Sequence, residues 1–259
     1  MKICEKYKHY LFKGEWHVHT SYTDGKNTVL EYAEKAVELG IPLLAFTEHV
    51  RLNIEYDYDE LLSDILIVKQ KYPRLVVLSG IEAKILPDGK LDCPLDLLGK
   101  VDYKLFAFHS FPVDLNKYIS SLKSVLINYP VDAWAHPGSF FNKHRTLKLQ
   151  DNDLNQIIKL MNMRDVLLEV NFKYKLPNIH WIKEYYKVNN TSSVVFGADV
   201  HCVEDLCESW EIKQKFLTYY QTMLSDKIDV AKFMIWFIEN YPESVTIMKE
   251  NPDYQYRFK

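Results

Sequence analysis

The stretch EWHVHTSYTDGKNTVLEYAEKAVELGIPLLAFTEH, residues 15–49, holds a β-rich run at 15–20, an amphipathic run at 27–39 and a second β-rich run at 43–49. Strand, helix and strand in that order indicate two parallel strands joined by a helical crossover. Asn27 reads as the N-cap of the helix, Glu31 lies in its early turns, and Gly40 stands just past its end, where a left-handed residue commonly stops a helix. Outward from this unit the alternation repeats. Further strands are expected at 75–86, 101–111, 131–137, 165–171 and 193–201. Helices are expected at 58–71, 114–128, 151–163 and 178–187, with two more near 205–224 and 228–240. The segment 87–100, PDGKLDCPLDLLGK, reads instead as a turn and one short helix. Seven such strands either close into a distorted barrel or stay an open doubly wound sheet, and periodicity alone leaves both open.

The 259 residues suit one barrel, for which ~250 is typical. No Gly/Ser/Pro-rich linker or charge block divides them. One domain is therefore expected, with the barrel over about 13–204 and C-terminal helices over about 205–259. Lys+Arg 32 against Asp+Glu 35 gives a formal net charge of -3, which excludes a broadly cationic protein that coats nucleic acid or anionic membrane but allows a local basic groove. Apolar residues at 47% and charged residues at 26% are globular values, and no apolar run approaches the ~20 residues of a membrane span. The opening MKICEKYKHY carries charges where a signal peptide needs an apolar core, so a cytoplasmic location with no membrane partner is expected. Cys4, Cys93, Cys202 and Cys207 show no CxxC spacing and read as reduced thiols. Nothing in the composition sets an oligomeric state.

Polar residues collect at the C-terminal ends of the expected strands, where parallel α/β folds place their sites. His17 and His19 end the first strand, Glu48 and His49 the second; Glu82 lies on the third, His109 ends the fourth, His136 the fifth, and Asp199 and His201 the seventh. Six of the nine histidines are thus strand-end residues, while His9, His144 and His180 fall in the N-terminal lead, a loop and a helix start. Strand residues two apart face the same way, which pairs His17 with His19, Glu82 with Lys84, Glu169 with Asn171 and Asp199 with His201. Two imidazoles on one strand can share a divalent ion, and carboxylates supply the charge that such an ion demands. A carboxylate such as Glu82, facing several histidines, could bridge two ions that clamp a phosphoryl group and ionise the water between them. One HxH carries little weight; the force lies in the joint occurrence. Imidazole with carboxylate suits Zn, Mn or Fe.

These residues resemble the motifs of the polymerase and histidinol phosphatase (PHP) superfamily: HVHTSYTDG at 17–25, TEH at 47–49, GIEAKILPDGKLD at 80–92, FHS at 108–110, AHP at 135–137 and GADVH at 197–201. The resemblance implies an α/β fold, a distorted (β/α)7 barrel, with up to three divalent ions. It assigns a first ion to His17, His19, Glu82 and Asp199, a second to Glu82, His109 and His136, and a third to Asp24, His49 and His201. Asp24 stands where some members carry histidine, although an Asp-Gly pair is ordinarily just a turn. Thr20 and Ser21 are expected to orient the loop, and Glu48 to orient a ligand histidine. The third motif looks closer to the PHP domains of bacterial family X DNA polymerases and to free-standing phosphoesterases than to histidinol phosphatases, and no polymerase portion is present.

The expected function is a metal-dependent phosphoesterase in which a hydroxide bridging two cations attacks phosphorus. Glu82 would bridge, Asp199 would steer the nucleophile, and His201 or His49 would protonate the leaving oxygen. Lys84, in phase with Glu82, and Arg145, after the His136 strand, are the candidates to hold substrate phosphate. A small phosphomonoester is the first expectation, from the acidic balance and single compact domain. The alternative is a nuclease or DNA-end phosphatase, which needs a positive groove built from Lys84, Arg51, Lys143 and Arg145. A full ligand set speaks against a non-enzymatic metal-binding module, and the Glu82 bridge with the DVH ending speaks against an amidohydrolase.

Overall fold

A computed structural model describes residues 2–188, 194–225 and 229–259. Met1, Ser193 and Ile228, which begin the N-terminal lead and two of the expected elements, lie outside the described residues. The chain divides into two compact units, Met1–Trp210 and Glu211–Lys259.

The first unit is built on β1 (Glu15–Val18), β2 (Leu43–Val50), β3 (Val76–Ile85), β4 (Leu91–Asp92), β5 (Tyr103–Ala107), β6 (Ala133–Trp134), β7 (Leu167–Asn171) and β8 (Val195–Gly197). All but β4 run parallel in the order β1-β2-β3-β5-β6-β7-β8, so spatial order follows chain order. A bridge between Val18 and Val200 brings the ends of this path together, with His19 N donating to Val200 O at 2.8 Å and Val200 N to His17 O at 2.9 Å. The sheet therefore nearly closes into a barrel of the expected α/β class. The crossovers include α2 (Val29–Leu39), α3 (Tyr58–Lys71), α4 (Leu115–Asn128), α6 (Asp151–Arg164) and α7 (Ile179–Val188). Short helices α1 (Ile3–Lys6) and α5 (Ser139–Lys143) were not legible in the sequence, and α8 (Val203–Ser225) follows β8.

Side-chain alternation layers the interior. Leu43 and Ala45 precede Thr47 and His49 in phase; Leu78 precedes Glu82; Tyr103, Leu105 and Ala107 precede His109; Leu167 precedes Glu169. The apolar members form one buried cluster with Trp16, Ala133 and Val195, making an apolar floor beneath a polar layer. The opposite strand faces, including Phe46, Ile81, Phe106 and Leu168, pack in a second cluster against helix residues such as Tyr32, Leu61, Leu122 and Ile157.

Three expectations are corrected. The N-cap of α2 is Thr28, not Asn27: Glu31 N donates to Thr28 Oγ1 at 3.2 Å while Thr28 N donates to Glu31 Oε2 at 2.8 Å, closing a capping box. Asn27 instead accepts from Val203 N at 3.0 Å through its side-chain oxygen. The 87–100 segment contains β4, antiparallel to β3, as well as a short 3-10 helix at Leu97–Gly99. Strands β6 and β8 stop earlier than hydrophobicity suggests, because the backbone leaves the extended region just past them, at His136 with φ 29° and Asp199 with φ 53°; β5 also stops short of the expected 111, at Ala107. Candidate site residues thus sit just past the ladders.

In the second unit, α9 (Val230–Glu239), α10 (Glu243–Glu250) and a 3-10 turn at Pro252–Phe258 gather Trp236 against Tyr254 and Phe258, with ring centroids 4.8 and 5.2 Å apart. No described helix is long and apolar enough to cross a membrane.

Candidate metal centre

Glu82, fully buried on β3, is the hub. Its Oε2 lies 3.6 Å from Nε2 of both His17 and His19 and 3.0 Å from His49 Nδ1. Its Oε1 lies 2.8 Å from His136 Nε2 and 3.5 Å from His109 Nε2. Asp199 is the second carboxylate, with Oδ1 at 3.3 Å from His17 Nε2 and 3.1 Å from His19 Nε2. Those two nitrogens are 3.1 Å from each other. Towards the mouth, Asp24 Oδ2 is 3.3 Å from Nε2 of both His49 and His201.

Three sets of donor atoms converge closely enough to hold ions: His17, His19, Glu82 and Asp199; His19, Asp24, His49 and His201; and His49, Glu82 and His109. The first set coincides with the expected one. The second gains His19, and in the third His49 stands where His136 was expected, although His136 still contacts Glu82. Four buried polar atoms in the cluster make no hydrogen bond of good geometry: His19 Nδ1, His109 Nε2, and the pair His49 Nδ1 and Glu82 Oε2, which approach each other at 3.0 Å without aligning. Burying such atoms unpaired is costly, whereas a cation among them satisfies lone pairs that have no donor to meet. The donor set therefore fits divalent ions on geometric grounds.

The electrostatics agree. Burial alone would raise Glu82, but the charge of His17 and the hydrogen bond from His136 hold it well below the usual carboxylate range. Burial pushes His19 and His109 down to about 4, leaving neutral imidazoles, the form that binds metal.

Further carboxylates orient these groups. Buried Glu169 on β7 accepts from His17 Nδ1 at 2.7 Å through Oε1, which leaves His17 Nε2 facing the cluster. Its Oε2 accepts from the His136 backbone N–H, and from Asn171 Nδ2 at 3.3 Å. Gly197 makes room for it, since a Cβ there would stand 2.2 Å from Glu169 Oε1. Glu48, expected from the sequence to orient a ligand histidine, instead accepts from Thr20 N at 2.8 Å and from the Thr23 hydroxyl, so it ties down the loop that carries Asp24. Burial pushes Glu48 up to about 7.

The cluster floors a cleft of about 310 Å³ whose walls include Phe108, Ser139, Asn142, Lys143, Tyr174 and Leu176. His136 and Gly138, with φ 29° and 98°, turn the chain into α5, which brings Ser139, Asn142 and Lys143 alongside. Lys84 donates to Ser110 Oγ at 2.8 Å, and neither it nor exposed Arg145 lines the cleft. Arg51 donates to the Val50 carbonyl at 2.6 Å.

The family profile of the PHP domain matches residues 15–232. The chain belongs to the PHP family. Among its relatives, the DNA polymerase/3'-5' exonuclease PolX of Bacillus subtilis is 27% identical over 204 residues, 75% of this chain and 35% of that protein. A probable phosphatase of Acetivibrio thermocellus is 31% identical over 133 residues, 49% of this chain and 55% of that protein. A probable phosphatase of Aliivibrio fischeri is 25% identical over 210 residues, 76% of this chain and 81% of that protein. The PHP match thus spans about a third and about half the length of the first two. The crystal structure of histidinol phosphate phosphatase from Lactococcus lactis, complexed with zinc, L-histidinol and phosphate, shares the fold with a TM-score of 0.57 at 13% identity, covering 78% of this chain and 93% of that one.

Several residues of this PHP site carry no local signal that names their role. Glu169 shares a face with Asn171, a visible pairing, but only the contact with His17, 152 residues away, gives it a function. Tyr174 and Lys143 lie on loop and short-helix segments whose direction no periodicity reports.

Proposed function

We propose that this chain is a divalent-metal-dependent phosphoesterase that hydrolyses a phosphomonoester at a site for up to three ions. The observation that carries the reading is Glu82, a fully buried carboxylate whose two oxygens face five imidazoles within a cluster holding four polar atoms that make no hydrogen bond of good geometry. In this reading His17, His19, Glu82 and Asp199 hold one ion, Glu82, His109 and His136 a second, and Asp24, His49 and His201 a third. Bound ions, of which Zn, Mn and Fe suit this donor set, would neutralise phosphate charge and make water a nucleophile near neutral pH. Glu82 joins two subsites, Asp199 steers the attacking water, and Glu169 keeps His17 Nε2 turned to the cluster. His201 or His49, both half-buried at the mouth beside Asp24, holds the proton for the leaving oxygen. Lys143 takes over the substrate-holding role expected of Lys84 and Arg145, because it is the cation of the described cleft wall. A cytoplasmic setting belongs to the same proposal, supported by four free cysteines.

The probable phosphatases among the relatives support a small substrate, while the exonuclease relative supports the nuclease alternative. The cleft wall favours the former. A strand of nucleic acid engages several phosphates and needs several cations, whereas Arg51 and Lys84 are bonded elsewhere and only Lys143 among the described basic residues lines the cleft. The test is hydrolysis of p-nitrophenyl phosphate beside a labelled single-stranded DNA oligonucleotide, with Mn and Zn supplied in turn. Monoester turnover with shallow salt dependence between about 50 and 200 mM is expected. Salt-sensitive digestion of DNA with negligible monoesterase activity would overturn the substrate assignment.

A further inference from the structure

We infer that Tyr174 is a positioning residue that presents Asp199 to the ion-binding cluster through a single oxygen, with the loop after β7 acting as the clip. The inference rests on the metal-dependent reading above.

Asp199 lies two residues past β8 in a left-handed conformation, φ 53°, which an aspartate tolerates but which its neighbours must maintain. Its Oδ1 faces His17 and His19. Its Oδ2 accepts from the Tyr174 hydroxyl at 2.7 Å. The adjacent residue holds the backbone, because Lys173 Nζ donates to the Asp199 carbonyl at 3.0 Å and also reaches Asp205 Oδ2 at 3.4 Å. Asp205 in turn accepts from His201 N at 3.1 Å, so both ends of the Asp199–His201 segment are tied.

The clip is itself anchored. Phe172 N donates to Gly197 O at 3.1 Å, Tyr174 N donates to Asn171 Oδ1 at 3.1 Å, and Asn171 and Leu176 exchange backbone hydrogen bonds of 2.7 and 3.1 Å. The Tyr174 ring stands edge-on to His136 at 5.8 Å and lines the cleft. A carboxylate with both oxygens free can chelate one ion or span two. With Oδ2 occupied by a phenol, Asp199 offers Oδ1 alone, which keeps ligand positions open for water and substrate.

Tyr174→Phe keeps the ring and removes the hydroxyl. Chelator-stripped wild type, Tyr174→Phe and, as a hydroxyl-deletion control, exposed Tyr241→Phe are titrated with Co²⁺ by calorimetry and visible absorption. Binding by Tyr174→Phe is expected to weaken about tenfold to a hundredfold, the span typical of a lost outer-shell partner. The absorption per bound Co²⁺ should also change, while Tyr241→Phe matches wild type. Absorption per bound ion counts only folded, loaded protein, so it decides the matter even if the variant is less stable. A Tyr174→Phe spectrum and affinity equal to wild type overturn the positioning role. Wild type that binds no Co²⁺ overturns the metal-centre reading itself.

Discussion

Gly197→Ala probes the site without removing any polar group. The new Cβ would stand 2.2 Å from Glu169 Oε1 and 3.0 Å from His17 Cβ. Ordinary carbon–oxygen contact begins beyond 3 Å, so Glu169 must retreat by about 1 Å in a fully buried site that has little slack. That shift is as large as the difference between a hydrogen bond and none. The bonds at risk are the 2.7 Å contact to His17 Nδ1 and the one from the His136 backbone. Overpacking of this kind costs about 1–3 kcal/mol, and for a chain of this size each kcal/mol lowers Tm by about 2–4 °C. The melt of metal-free protein should therefore fall by roughly 2–12 °C. Loss of the histidine orientation should separately weaken Zn²⁺ binding about tenfold to a hundredfold, read by competition with a chromophoric chelator. A variant that melts lower yet binds Zn²⁺ as wild type does would refute the claim that Glu169 sets His17 for the ion. Glu169→Gln, which keeps the volume but loses the charge that draws the His17 N–H, should weaken binding with a smaller change in the melt.

Metal analysis of gently purified protein should find two or three divalent ions per chain; a content near zero in protein never exposed to chelator would remove the catalytic reading. Glu82→Ala should cost more activity than His49→Ala, because fully buried Glu82 faces five imidazoles drawn from all three proposed subsites, while His49 faces two carboxylates, Glu82 and Asp24, from its half-buried place near the mouth; equal losses in kcat/KM would count against that partition. Lys143→Met should raise KM for a phosphomonoester with little change in kcat, the pattern of lost uniform binding, whereas Arg145→Met should leave both unchanged. A reversed outcome for the two cations would return the substrate-holding role to Arg145.

What the sequence determined by itself was the layering of the barrel and the identity of the cluster. A strand repeats every two residues, so apolar Leu43 and Ala45 necessarily share a face with His49, and Tyr103, Leu105 and Ala107 with His109. That local regularity makes six strand-end histidines and two in-phase acids legible before any contact is known. Closure was decided by tertiary structure, because the Val18–Val200 bridge joins residues whose register no local pattern encodes. The same holds for the helix cap. Asn27 and Thr28 are both good N-cap residues, and the reciprocal bonds with Glu31 together with the Val203 N–H claim on Asn27 select Thr28. Lys84 keeps the predicted alternation but lies opposite Asp92 of β4, and its side chain ends on Ser110 rather than in the cleft. Lys143 enters the cleft because the left-handed turns at His136 and Gly138 redirect the chain into α5, and Tyr174 enters on the turn that follows β7. Alternation is a property of the backbone repeat and can be read residue by residue. Partners such as Glu169 for His17 and Tyr174 for Asp199 meet only once the strands have closed, so only the folded chain reveals them.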